Sequence, residues 1–322
     1  MAVGTVSVSA IDGEVAIDID QNGSVDLSTV NVEHLVLSGN NVSFFDDLTS
    51  TALMDSEITI SGTGDGDTLN ASRSGVRVVV DGGEGKDVIM GGRQADTLVG
   101  GGGSDKLYAK GGADIMLGGA GNDTYYLDDS SQSVIEYAGN GTDRIVVKFD
   151  YTLGDYFENL TLAGSKGHSG TGNGLKNKIV GSSGDHVLDG KGAADTILGG
   201  KGDDVLIGGS GADMLTGGAG ADMFRFTMLD TAANADTIRD FAHGVDRIEF
   251  AKSAFAALSG SAVDPAAFHL GTAAATADQH IIYDRATGSL YYDADGVGGQ
   301  AQVQVALLST RPVLDAGDLF VI

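Results

Sequence analysis

GGEGKDVIM, GGRQADTLV, GGGGSDKLY, AKGGADIML, GGAGNDTYY: residues 82–126, cut every nine, put Gly, Asp and a large apolar residue in register five times. The sixth position holds Asp87, Asp96, Asp105, Asp114 and Asp123, and the eighth holds Ile89, Leu98, Leu107, Met116 and Tyr125. The pattern is G-G-x-G-x-D-x-U-x, where U is a large apolar residue. Glycine supplies the positive φ of a tight turn, and the three or four residues from Asp onward form a short strand with U pointing inward. Two nonapeptides then close one coil of a flattened spiral, so residues eighteen apart lie above one another at about the 4.8 Å spacing of paired strands. Asp87, Asp105 and Asp123 are expected on one edge, with Asp96 and Asp114 on the other.

Carboxylates stacked that closely repel one another unless a cation lies between them, and the turn carbonyls beside them complete an all-oxygen donor set suited to Ca2+. A flexible Gly-rich linker needs neither the strict period nor an apolar residue two places after each Asp. A plain β-solenoid whose Asp residues only solvate the edges is the other alternative.

A second array occupies residues 172–225: GNGLKNKIV, GSSGDHVLD, GKGAADTIL, GGKGDDVLI, GGSGADMLT, GGAGADMFR. Its sixth positions place Asn177, Asp195 and Asp213 on one edge and His186, Asp204 and Asp222 on the other; its core column is Ile179, Leu188, Ile197, Leu206, Leu215 and Phe224. Asn177 can lend a carbonyl oxygen to Ca2+, whereas His186 prefers softer metals and leaves the first site on its edge in doubt. The first array begins raggedly. In GTGDGDTLN (62–70) Asp67 takes the metal position two residues out of phase, and in RSGVRVVVD (73–81) Val78 replaces Asp, so one ion position is lost there while Val80 keeps the core filled. The candidate ligands are therefore Asp67, Asp87, Asp96, Asp105, Asp114, Asp123, Asn177, Asp195, Asp204, Asp213 and Asp222, serving several Ca2+ ions.

On these nonapeptides the chain resembles the RTX (repeats-in-toxin) family of calcium-binding β-rolls. The resemblance implies an all-β, right-handed parallel β-roll, export unfolded through a type I secretion system, and folding on extracellular calcium. ADTIRDFAHGVDRIEF (235–250) resembles the stretch that follows the roll in serralysin-type secreted proteases and is expected to cap its open end. The last residues, Asp318, Leu319, Phe320, Val321 and Ile322, resemble the C-terminal signal read by the secretion apparatus.

The expected organisation is an N-terminal β segment (1–61), a first roll (62–126), a bridging β segment (127–171), a second roll (172–226) and a C-terminal cap (227–322). Alternating apolar residues mark strands in 3–26. The segment DIDQNGSVD (18–26) reads either as an EF-hand-like loop lacking its final Glu or as a hairpin turning at Asn22-Gly23. VEHLVLSG (32–39) has a counterpart in FENLTLAG (157–164), and His34 reads as a face residue. SAFAALSG (253–260) suggests a short helix, and IIYDRATGSLYYDADG (281–296) a hairpin turning at Thr287-Gly288, with Asp293 and Asp295 as turn residues or one further ion site.

Among 322 residues there are 51 glycines, two prolines and no cysteine, so disulfides and thiolate metal sites are excluded and calcium is the available staple. The net charge of -26 argues against nucleic acid or an anionic membrane as partner. No apolar run approaches a membrane span, and the first residues lack the basic and apolar regions of a cleaved leader. No H-E-x-x-H, G-x-S-x-G or P-loop motif occurs, while a glycosidase-type carboxylate pair has no motif by which to exclude it. The expectation is a secreted, non-enzymatic, extracellular or surface-associated calcium-binding protein. The alternative is an adhesin, a surface-layer protein or an accessory module for an extracellular polysaccharide, as in the rolls of alginate epimerases, with Tyr108, Tyr125, Tyr126 and Lys110 as a candidate binding strip.

Overall fold

The structure, a computed structural model, describes residues 34–38, 57–72 and 74–322. The alternatives for 18–26 lie outside the described residues. Among those described there is no α-helix; all regular structure is strand apart from three short 3-10 turns. The chain divides into two compact units, Met1–Val147 with Asp155–Phe157, and Lys148–Gly154 with Glu158–Ile322.

The first unit is a parallel β-roll with two faces. One face stacks His34–Ser38, Glu57–Ser61, Val78–Gly85, Thr97–Gly103, Ile115–Ala120 and Ser133–Ile135; the other stacks Thr68–Asn70, Val88–Met90, Lys106–Tyr108, Thr124–Tyr126 and Arg144–Val147. Each nonapeptide supplies one strand, alternately to the two faces. Leu98 therefore pairs with Met116, and Ile89 with Leu107, eighteen residues on. The strands Thr68–Asn70, Val88–Met90 and Thr124–Tyr126 leave their middle residue buried and its neighbours half-exposed, as side-chain alternation requires. Ile89, Leu98, Leu107, Met116 and Tyr125 are all fully buried. Ile60, Leu69, Val78, Val80, Ile145 and Val147 are buried with this column, and at roughly 1.5–3 kcal/mol per buried large apolar side chain they and the column supply apolar stabilisation to a unit without helices.

The turns depend on glycine at particular places. Gly101 and Gly103 have φ of 105° and 136°, and Gly119 and Gly121 repeat the pair at 97° and 136°. Where the repeat departs from glycine the backbone keeps its shape, so Lys110, Lys191 and Ala193 hold φ of 69°, 73° and 70°. Those values are unfavourable for L side chains by about 1–2 kcal/mol each.

The second unit repeats the architecture. One face stacks Asn159–Leu162, Lys178–Val180, Thr196–Lys201, Met214–Ala219 and Asp236–Ile238; the other stacks Tyr151–Thr152, Ser169–Thr171, Val187–Asp189, Val205–Ile207, Met223–Phe226 and Arg247–Phe250. Ile179, Leu188, Ile197, Leu206, Leu215 and Phe224 form its buried column. Both faces then continue into the C-terminal region. Val303–Leu308 joins Asp236–Ile238 in parallel and carries the antiparallel pair Ser289–Tyr292 and Ile281–Asp284 beyond it, turning at Gly288 with φ 87°. Leu319–Val321 closes the opposite face by pairing in parallel with Arg247–Phe250.

Segment 127–171 is shared between the units, and its strands are laid on array strands in parallel register, as Ile145 opposite Tyr125 and Leu160 opposite Ile179 show. Ser253–Gly260 forms a run of turns rather than a helix. Its bonds from the Phe255 and Leu258 N–H groups reach Ala251 and Phe255, but the Ala257 N–H is taken by the Tyr292 hydroxyl at 2.9 Å, while Phe255 and Leu258 turn into the core.

Candidate metal centres

The sixth-position residues form four buried columns, each tied together by one repeated hydrogen bond. The backbone N–H of each member donates to the Oδ1 of the member one coil later: Asp87 to Asp105 and Asp105 to Asp123, both at 2.8 Å, and Asp96 to Asp114 at 2.8 Å. In the second array Asn177 donates to Asp195 and Asp195 to Asp213 at 2.7 Å, and Asp204 donates to Asp222 at 3.0 Å. Asp67 joins its column despite the two extra residues, since its N–H reaches Asp87 Oδ1 at 2.6 Å. Val78 stands in an Asp place and donates to Asp96 Oδ1.

One oxygen of each carboxylate is thus used by the backbone. The other is the one that bears on metal. Oδ2 of Asp87, Asp105, Asp114, Asp123, Asp195, Asp204 and Asp213 is buried without a hydrogen-bond partner among the described residues. At most of these turns a carbonyl of the following coil converges on the same place. A Cβ at Gly82 would collide with Asp87 Oδ2 and the Gly100 carbonyl oxygen, and one at Gly100 with Asp105 Oδ2 and the Gly118 oxygen. Gly190 and Gly199 stand in the same relation to Asp195 and Asp204. An anionic oxygen out of water beside neutral acceptors has no donor to satisfy it, and a hard cation with six to eight oxygen ligands does so. The residues fit Ca2+.

Electrostatics point the same way. Burial lifts the carboxyl groups of Asp96, Asp105, Asp123 and Asp222 to about 6 and those of Asp114 and Asp195 to about 7, against an ordinary 3.8. Charges of column neighbours add to the effect at Asp105, Asp114, Asp195 and Asp222. Asp87, Asp204 and Asp213 are raised for the same leading reason.

Three candidate ligands, and the His186 side chain at a further sixth position, are already engaged. Asp67 Oδ2 accepts from Thr63 N–H at 2.7 Å, and Asp96 Oδ2 from Gly92 N–H at 2.6 Å. Asn177 Oδ1 accepts from Asn173 N–H at 2.8 Å. His186 occupies its column with both ring nitrogens engaged by backbone: Nε2 lies 3.2 Å from the Ser182 N–H, and Nδ1 lies 3.1 Å from the His168 N–H and 3.2 Å from the His168 carbonyl oxygen. That imidazole offers no lone pair to an ion. Asp293 Oδ1 accepts the Asp295 N–H and Asp295 Oδ2 that of Gln300, a turn arrangement that leaves Asp295 Oδ1 buried without a hydrogen-bond partner among the described residues.

The columns run further than the nonapeptides. Asp123 donates to Asp143 Oδ1, Asp213 to Asp236 Oδ1 and Asp222 to Asp246 Oδ1, and all three acceptors are buried. Period counting passes over them because they lie 20, 23 and 24 residues on. The surviving signal is Asp-x-Ile, in Asp143-Arg-Ile, Asp236-Thr-Ile and Asp246-Arg-Ile, with the isoleucine fully buried in each case. Of the tyrosine strip, Tyr125 points into the core; Tyr108 and Tyr126 stack face to face with centroids 4.2 Å apart, and Lys110 Nζ lies 5.5 Å from the Tyr108 ring.

The family model of the RTX calcium-binding nonapeptide repeat matches this chain in four copies, over residues 78–98, 92–125, 171–206 and 189–224. No curated protein matches the chain. No helix among the described residues is long and apolar enough to cross a membrane.

Proposed function

We propose, from the premise that this chain carries two arrays of RTX calcium-binding nonapeptide repeats, that it is a secreted protein which folds when it meets extracellular calcium and acts by binding rather than catalysis. The observation that carries this reading is the set of buried Oδ2 atoms without partners, repeated coil after coil opposite turn carbonyls. Calcium at those places would cancel two charges per ion on a chain of net charge -26. Sites of the ~10⁻⁴ to 10⁻³ M class stay empty at cytosolic calcium levels, so the chain remains unfolded and exportable there and folds outside.

RTX repeat proteins are typically secreted, and export by a type I apparatus reading Asp318–Ile322 is part of the proposal. Far-ultraviolet circular dichroism during a calcium titration, with magnesium as control, tests it. A cooperative coil-to-β transition at submillimolar to millimolar calcium, absent with magnesium, is expected. A fully folded spectrum in excess chelator would leave the plain solenoid as the better account. The polysaccharide-module alternative has less behind it, because Tyr125 is buried and Tyr108 and Tyr126 each turn one ring face to the other.

A further inference from the structure

The glycine column Gly82, Gly100, Gly118 does not end in another glycine. Ile135 pairs with Leu117, which places Glu136 in register with Gly118. At each earlier turn the following coil contributes a carbonyl beside the Asp Oδ2; at Asp123 the following residue in register is a glutamate instead. Glu136 is only 6% exposed, and its Oε2 is buried with no hydrogen-bond partner. Asp123 Oδ2, equally without a partner, lies in the same place, and with Asp143 the three carboxylates bring one oxygen each within 4.8 Å of the others.

The side chains around this cluster are arranged to hold it. Tyr125 is the one member of the first array's inward column with a polar tip, and its hydroxyl donates to Glu136 Oε1 while accepting the Gly118 N–H. That fixes the glutamate with Oε2 left over. Asp143 is fixed by the Asp123 N–H on Oδ1 at 2.8 Å. Three buried acids gathered so closely repel strongly when ionised.

We propose that Asp123, Glu136 and Asp143 form a terminal Ca2+ site that closes the first array, with Glu136 as a ligand from outside the nonapeptides and Tyr125 as the residue that positions it. The donor set is oxygen only, which favours calcium over zinc or copper, and its irregular spacing suits calcium better than the strict octahedron of magnesium.

The test counts ions on the full-length chain. Native mass spectrometry and equilibrium dialysis with calcium are run on the wild type, Glu136→Gln and Tyr125→Phe. Glu136→Gln should bind one calcium fewer and keep the same far-ultraviolet spectrum at saturating calcium. Tyr125→Phe should keep the full count but bind its weakest ion several-fold less tightly. Terbium in place of calcium adds a local readout, since tyrosine excitation should lose sensitised emission in both variants. If Glu136→Gln fails to fold, Glu136→Asp, which withdraws the carboxylate by one methylene, carries the same expectation of a weakened last ion. Wild-type stoichiometry and affinity in the Glu136 variants would overturn the proposal and leave the cluster held by protons alone. A wild-type chain that binds no calcium at all would instead overturn the reading of the arrays.

Discussion

Removing calcium should make the stability of this fold depend steeply on pH, in the direction opposite to ordinary acid denaturation. Six column carboxyls, those of Asp96, Asp105, Asp114, Asp123, Asp195 and Asp222, are lifted by burial from 3.8 to between about 6 and about 7. A group whose folded value lies above its unfolded value stabilises the fold fully below the unfolded value, and that contribution is lost as pH rises through the folded one. Here the window is pH 4 to 7. Each tenfold change in proton affinity carries ~1.4 kcal/mol, so each group destabilises the calcium-free fold at pH 8 by about 3–4 kcal/mol before screening. Solvent at the turns and protons shared within a column reduce the total to roughly 10 kcal/mol. That is comparable with the whole stability of a typical domain, about 5–15 kcal/mol. The calcium-free chain should therefore be unfolded at pH 8 and recover β structure near pH 5, whereas at millimolar calcium it should be folded at pH 8. Circular dichroism in chelator and in calcium, with urea midpoints where the chain is folded, measures both arms. A chelated protein equally folded at pH 5 and pH 8, or more stable at pH 8, would refute the reasoning, because the columns would then not be self-repelling.

Single substitutions separate the parts of this argument. Asp105→Asn keeps an acceptor for the Asp87 N–H but removes the charge, so the calcium midpoint should rise about tenfold while the chelated protein at pH 8 becomes less unfolded; a shift of both in one direction would count against it. Gly100→Ala should weaken calcium-dependent folding by about 2–4 kcal/mol, because its Cβ meets Asp105 Oδ2 and the Gly118 oxygen, whereas Gly174→Ala, with open space around it, should stay within ~0.5 kcal/mol in the same titration. Lys191→Gly and Ala193→Gly relieve positive φ and should each raise the urea midpoint in saturating calcium by the equivalent of about 0.5–1 kcal/mol. Leu107→Ala, deep in the inward column, should lower stability in calcium by about 2–5 kcal/mol.

The nonapeptide period by itself determined the two-faced parallel roll, the inward columns and the grouping of the metal positions by edge. It could do so because each property depends on residues at a constant separation of eighteen, a local rule that a repeated sequence states openly. Asp143, Asp236 and Asp246 were hidden because loops of other lengths intervene, and only the folded chain shows that those loops bulge outward and return the next Asp-x-Ile to register. The same holds for His186, whose ring could be told from an ion ligand only once both of its nitrogens were seen to be used. Glu136 is the clearest case. In sequence it is one acid in an ordinary strand segment; its burial above Gly118, against the Tyr125 hydroxyl and beside Asp123, follows from where the coil ends. A period tells which residues repeat, and tertiary structure decides what fills the place where the repetition stops.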